Sequence, residues 1–258
     1  MWHGAVVDYI AYLRADAARL RQLAARQLEL AIPSWPGWTV GDLIDHVAGV
    51  YAQKTAYIRM GNSPEPRPAM EWAGFGSDPL ARYDRMLAEL LTELERHAPD
   101  DPATTGYPPD QTVGFLMRRT AHETAVHRVD VELAVGHHTA VAAPLAEDGV
   151  DELLTVFLGW NLTNMVARGG TEAVPALKEA DGRAIQITAA QRTWTVRPTP
   201  DGVQVQPEGT PEAAATVTGS PSEVLLWLWN RRGDEAVTIT GDTALITFLK
   251  RLLSLVPQ

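Results

Sequence analysis

Between Thr112 and Val135 the chain contains no proline and a single glycine, Gly114, so the stretch reads as one long helix. Its inward seam is Val113, Leu116, Thr120, Glu123, His127, Asp130 or Val131, and Ala134, the alternating three-and-four spacing of a stripe that faces other helices. Two central members of this stripe are a carboxylate and an imidazole. Four residues apart on a helix, they project from one face with Cβ atoms about 5–6 Å apart. Burying both is costly unless something receives them, and a divalent metal is the simplest receiver. The pattern is not His-Glu-x-x-His with both histidines as ligands, because His122 and His127 are five apart and leave the helix on different sides.

Composition limits the classes of function. The 258 residues suffice for one large domain or two ordinary ones, and 45% hydrophobic with 21% charged residues are globular values. A formal net charge of −10 argues against nucleic acid and against docking on anionic membrane. The absence of cysteine excludes disulfides, thiolate catalysis by the chain and sulfur ligation, so any metal must rest on His, Asp and Glu. The first residues lack a basic region followed by an apolar run, and no stretch reaches the 18 or so apolar residues of a membrane span. The expectation is a cytoplasmic protein without membrane partners.

Taken in order, the first helix is expected from about Ala5 to Leu30, and Ile32-Pro33-Ser34-Trp35-Pro36-Gly37 breaks it. Thr39, with Asp42 three residues later, caps a second helix carrying Val40, Leu43, Val47 and Val50. His46 lies on that apolar side. Gly61 to Pro79 reads as loop, and a third helix runs from Leu80 to about Arg96. With the helix beginning at Thr112, these make an antiparallel four-helix bundle.

Near Gly136 the pattern changes. A helix is expected from about Glu147 to Val166, and after Gly169-Gly170 the period turns to strands at 184–188, 193–197 and 203–206. One unit then occurs twice: Thr216-Val217-Thr218-Gly219 before a helix from Pro221, and Thr238-Ile239-Thr240-Gly241 before a helix from Thr243. Ser220 with Glu223 reads as a capping box and Asp242 as an N-cap. The expected division is a bundle over 1–142 and a small α+β domain over 143–258.

His46, Glu123 and His127 therefore sit on inward stripes of two helices. Bundle cores are built for such sites, and two histidines with one carboxylate leave coordination positions open, as in catalytic centres. A buried polar network without metal is the alternative. Asp130, three after His127, and Arg119, four before Glu123, read either as partners that orient those ligands or as a solvated helix face. His137 and His138 read as surface loop. Trp227 and Trp229 alternate too closely to share one face, so at least one is packing. Arg231 and Arg232 at a helix end complement its negative terminus, with a weak pointer to an anion site.

The stretch from Pro36 to Val50 (Pro36-Gly37-Trp38-Thr39-Val40-Gly41-Asp42-Leu43-Ile44-Asp45-His46) resembles the second helix of the mycothiol-dependent maleylpyruvate isomerase family, within the DinB-like group of metal-binding bundles. Arg119-Thr120-Ala121-His122-Glu123-Thr124-Ala125-Val126-His127-Arg128-Val129-Asp130 is similar to its fourth helix. Leu225-Leu226-Trp227-Leu228-Trp229-Asn230-Arg231 is similar to its C-terminal domain, with Asn230 where the usual pattern has glycine. The resemblance implies that His46, Glu123 and His127 bind a divalent metal, usually zinc. It implies that Arg231 is a catalytic, ligand-holding arginine and that mycothiol is the thiol cosubstrate. The activity it implies is cis-trans isomerisation or S-transfer on a small electrophile. The same two-histidine, one-carboxylate set also suits a non-haem iron, oxygen-using enzyme, and a third reading is a non-enzymatic, metal-stabilised binding module.

Overall fold

The computed structural model describes residues 7–63, 77–169 and 173–255. The expected helix start at Ala5, the loop prolines Pro64, Pro66 and Pro68, and Gly170 lie outside them. Packing divides the chain into two units, residues 1–139 and 140–258.

The first unit holds four helices, α1 (Tyr9–Ala24), α2 (Val40–Met60), α3 (Pro79–Arg96) and α4 (Val113–Ala134). Helix α1 packs chiefly on α4, and α2 on α3 and α4. The expectation for α1 was too long, because the chain from Ala25 onward serves the start of α2 instead. Leu28 and Leu30 turn their carbonyls to the Gly41 and Val40 amides, both at 2.8 Å. These are donors that a helix start leaves without partners. A Cβ on Gly41 would meet the Leu28 oxygen at 3.2 Å, so glycine suits this close approach. The Thr39–Asp42 capping box forms in full: Thr39 Oγ1 accepts the Asp42 amide at 3.2 Å, and the Thr39 amide donates to Asp42 Oδ2 at 2.8 Å.

Helix α4 departs from the expected amphipathic stripe. From Val113 to Glu132 nearly every side chain is buried, including Arg119, His122, Arg128, Asp130 and Glu132. It is a central helix covered on several sides, and its charged groups are matched within the unit. Arg128 pairs with Asp16 at 2.9 Å and Glu132 at 2.6 Å, and Arg19 reaches Glu132 at 3.2 Å. Its one glycine has a packing reason, because a Cβ on Gly114 would lie 2.9 Å from the Pro99 carbonyl oxygen that its amide binds.

In the second unit one continuous helical run comprises α5 (Ala143–Glu152), a π-helical segment (Leu153–Asn161) and α6 (Leu162–Ala167). It starts four residues before the expected Glu147, with Pro144 in its first turn. A short α7 (Ala173–Leu177) follows. The strands are β1 (Ile185–Ala189), β2 (Arg192–Thr199), β3 (Gly202–Gln206), β4 (Ala215–Gly219) and β5 (Thr238–Gly241), in sheet order β3-β2-β1-β4-β5. Pair β1–β4 is parallel and the other neighbours are antiparallel. The repeated unit is real as strand followed by capped helix: β4 leads to α8 (Pro221–Leu228) and β5 to α9 (Thr243–Leu253). Ser220 and Asp242 cap these helices. The carboxylate of Glu223 pairs with Arg232 Nε at 3.1 Å. Among the described residues no helix is long and apolar enough to cross a membrane.

Candidate metal centre

Helix α2 presents His46 and α4 presents Glu123 and His127. The three ligand atoms lie within 4.8 Å of one another. His46 Nε2 is 3.4 Å and His127 Nε2 is 3.2 Å from the same oxygen, Glu123 Oε1. Ligands about 2.0–2.2 Å from a tetrahedral ion stand about 3.3–3.5 Å apart, so the two imidazole–carboxylate separations suit a shared ion. His46 Nε2 is buried and makes no hydrogen bond. A buried acceptor or donor left so is costly, and coordination would satisfy it. On this geometry the three residues fit a divalent cation.

The surroundings orient each group. Glu123 offers one oxygen to the imidazoles because the other, Oε2, accepts from Arg119 at 2.6 Å. His127 Nδ1 donates to Asp130 Oδ2 at 2.9 Å, which turns Nε2 toward Glu123. Asp130 and Arg119 are buried, so the solvated-face reading of both is wrong. Asp130 also accepts from Ser34 Oγ at 2.5 Å and Trp35 Nε1 at 3.3 Å. These two loop residues were read only as a helix break, and no spacing signal links residue 34 or 35 to residue 130.

Electrostatics follow from this packing. Burial opposes ionisation of Glu123, but the Arg119 cation and the adjoining imidazoles outweigh it and hold the carboxyl well below the usual range. Burial likewise opposes a charged His127, yet its bonds to Asp130 and Glu123 push it up to about 9. A site that holds a proton between two carboxylates can exchange it for a metal ion.

A cleft of about 870 Å³ opens beside His46, lined by Trp38, Asp42, Asp45, Gln53 and Arg82 among others. Arg82 holds Asp45 with two 2.6 Å bonds from one nitrogen, so its charge is already balanced.

Arg231 belongs to the second unit. Arg231 and Arg232 lie beyond the last helical turn, because α8 ends at Leu228. Asn230 adopts a left-handed φ of 58°, which asparagine tolerates. The Asn230 amide then bonds the Trp227 carbonyl at 3.0 Å, and the Arg231 amide bonds that of Leu226 at 2.8 Å. This is the closing pair of a Schellman turn, with asparagine in the place where glycine is usual. Arg231 is 8% exposed and donates to the Trp229 carbonyl at 2.6 Å. Arg232 Nε pairs with Glu223 at 3.1 Å. Both tryptophans are packing residues: Trp227 donates to Asp234 at 2.8 Å, and Trp229 meets Phe157 edge-on. His137 is exposed and His138 half-buried, both outside helix and strand.

Comparison with known proteins gives a consistent result. The family model of the mycothiol maleylpyruvate isomerase N-terminal domain matches residues 11–132, and that of the corresponding C-terminal domain matches residues 144–247. A crystal structure of the mycothiol-dependent maleylpyruvate isomerase superposes with a TM-score of 0.58 at 14% identity, covering 91% of this chain and 93% of that one. A histidine-to-alanine mutant of such an isomerase does so with the same score and coverage at 13% identity. At these identities the likeness concerns the fold. No curated protein matches the chain. The two family models match the chain in order, one on each unit, and the chain belongs to the mycothiol-dependent maleylpyruvate isomerase family.

Proposed function

We propose that this protein is a metal-dependent, thiol-using enzyme acting on a small electrophilic molecule, with mycothiol as cosubstrate and cis-trans isomerisation as the reaction. The observation that carries the reading is the convergence of His46 Nε2 and His127 Nε2 on one oxygen of Glu123. A bound divalent ion, zinc by family resemblance, would supply the Lewis acidity that keeps a thiol sulfur as thiolate at neutral pH. Thiolate addition to a cis alkene leaves a single bond free to rotate, and elimination then returns the thiol unchanged. Release of the conjugate instead would make the same site an S-transferase.

The chain's own residues have definite tasks in this scheme. Arg119 keeps Glu123 ionised and leaves it one free oxygen. Asp130 holds the Nδ1 proton of His127, so Nε2 is the coordinating atom. Trp38 lines the cleft beside His46, with its ring in an edge-type contact with the imidazole. Arg231 is proposed to grip a carboxylate through its planar fork. Its burial, and the match of its position to the arginine of the family motif, support that choice between the two arginines.

Metal analysis and thiol titration on one anaerobic sample test the proposal. The expected result is about one equivalent of divalent metal, thiol binding that requires it, and turnover that requires both. Full turnover without thiol, or iron with oxygen consumption, would instead assign the donor set to non-haem iron chemistry. Metal uptake without any thiol-dependent turnover would leave a binding module.

A further inference from the structure

The loop between α1 and α2 touches both imidazoles of the site. Trp38 lies edge-on to His46, with 5.5 Å between ring centroids. Trp35 sits 5.0 Å from Trp38 and 6.1 Å from His127. The same loop supplies two donors to Asp130: Ser34 Oγ to Oδ1 at 2.5 Å and Trp35 Nε1 to Oδ2 at 3.3 Å. Oδ2 is the oxygen that accepts from His127 Nδ1 at 2.9 Å. The Asp130 side chain is fully buried. Rotation of this carboxylate would break bonds at both of its oxygens, so the plane that His127 sees is set from the loop.

The loop is itself braced. The Ile32 amide bonds the Trp38 carbonyl at 2.9 Å, and the Trp38 amide bonds the Trp35 carbonyl at 3.0 Å. Ala31 and Thr39 form an antiparallel bridge at its base. A braced loop can hold a side chain in place more closely than an open one.

We propose that Ser34 and Trp35 are positioning residues of the metal centre, fixing the ring of His127 through Asp130. The inference rests on the reading that His46, Glu123 and His127 hold a divalent ion. It extends the site from two helices to the loop before α2, and it gives the indole N–H and hydroxyl of two half-buried residues a role that packing alone does not require. A neutral hydrogen-bond partner removed from a buried carboxylate leaves it both less fixed and less well solvated.

Cobalt(II) is the probe, titrated into metal-free full-length protein against a competing chelator, with visible ligand-field spectra and melting of the metal-free form recorded in parallel. Ser34→Ala and Trp35→Phe are each expected to weaken cobalt binding about tenfold, the lower end for loss of an outer partner, and to shift the ligand-field bands. Ser34→Thr, which keeps the hydroxyl, is expected to restore both. Wild-type affinity and unshifted bands in both variants would overturn the inference while leaving the metal reading intact. So would weakening with unshifted bands that Ser34→Thr fails to restore, since that is loop packing alone. If Ser34→Ala does not fold, Trp35→Phe decides by the same two readouts. Wild-type protein that takes up no cobalt would overturn the metal reading itself, and the positioning role with it.

Discussion

His127 bonds Asp130 Oδ2 through Nδ1 at 2.9 Å, and its opposite nitrogen faces Glu123 Oε1 at 3.2 Å. One imidazole is thus held between two carboxylates of its own helix, three residues after it and four before it. The spacing places both acids on the face that the ring occupies. The ring's plane is set at one nitrogen, and its chemistry is available at the other.

Removing that ring gives the first test. His127→Ala is expected to abolish metal loading, read by elemental analysis after dialysis. Far-UV circular dichroism should remain that of a folded bundle, with a lowered melting temperature because Asp130 and Glu123 lose the imidazolium held between them. A variant that retains full metal content would exclude His127 as a ligand.

The proton on His127 makes a pH prediction. Its folded-state value is raised to about 9 from 6.5. A raised value means the charged form favours the fold, so this contribution is fully present below about pH 6.5 and is lost as pH rises through about 9. Metal-free protein should therefore lose melting temperature between those limits. Metal must displace the proton, so apparent affinity should rise about tenfold per pH unit below 9. Calorimetry at pH 7 in buffers of different ionisation enthalpy should show about one proton released per ion, and no release would contradict the assignment.

Arg119 gives a third. It is 8% exposed and holds Glu123 Oε2 at 2.6 Å. Arg119→Met would leave an uncompensated carboxylate, at a cost of about 3 kcal/mol in the metal-free protein. Urea unfolding with and without metal checks this. The loss should be smaller in the loaded protein, where a cation remains beside Glu123.

The arginines after α8 give the fourth. Arg231→Ala should cost about 1.5–3 kcal/mol in transition-state binding, the scale of a charge-assisted hydrogen bond. Arg231→Lys should also lower kcat/KM, because the paired planar donors are lost. Metal content should be unchanged in both. Arg232→Ala breaks a partly exposed pair with Glu223 and should alter stability by less than about 1 kcal/mol with turnover intact. Equal kinetic effects of the two alanine variants would refute the assignment.

The sequence by itself determined the parts of this protein that depend on neighbours along the chain. Glu123 and His127 share a face because four residues make just over one helical turn. Thr39 and Asp42 start α2 because each can satisfy a backbone group of that first turn. The strand-then-helix repeat at 216 and 238 is visible because alternation and N-caps are local. Tertiary structure decided what depends on distant segments. It brought His46 to the Glu123 oxygen across 77 positions of chain, and Ser34 and Trp35 to Asp130. It buried α4 on nearly all sides, where one helix's periodicity shows only the stripe with the most apolar side chains. It ended α1 at Ala24, because the Leu28 and Leu30 carbonyls bond the first turn of α2. Spacing reports which residues can share a face. Which faces meet is set by burial and hydrogen bonding summed over the whole unit.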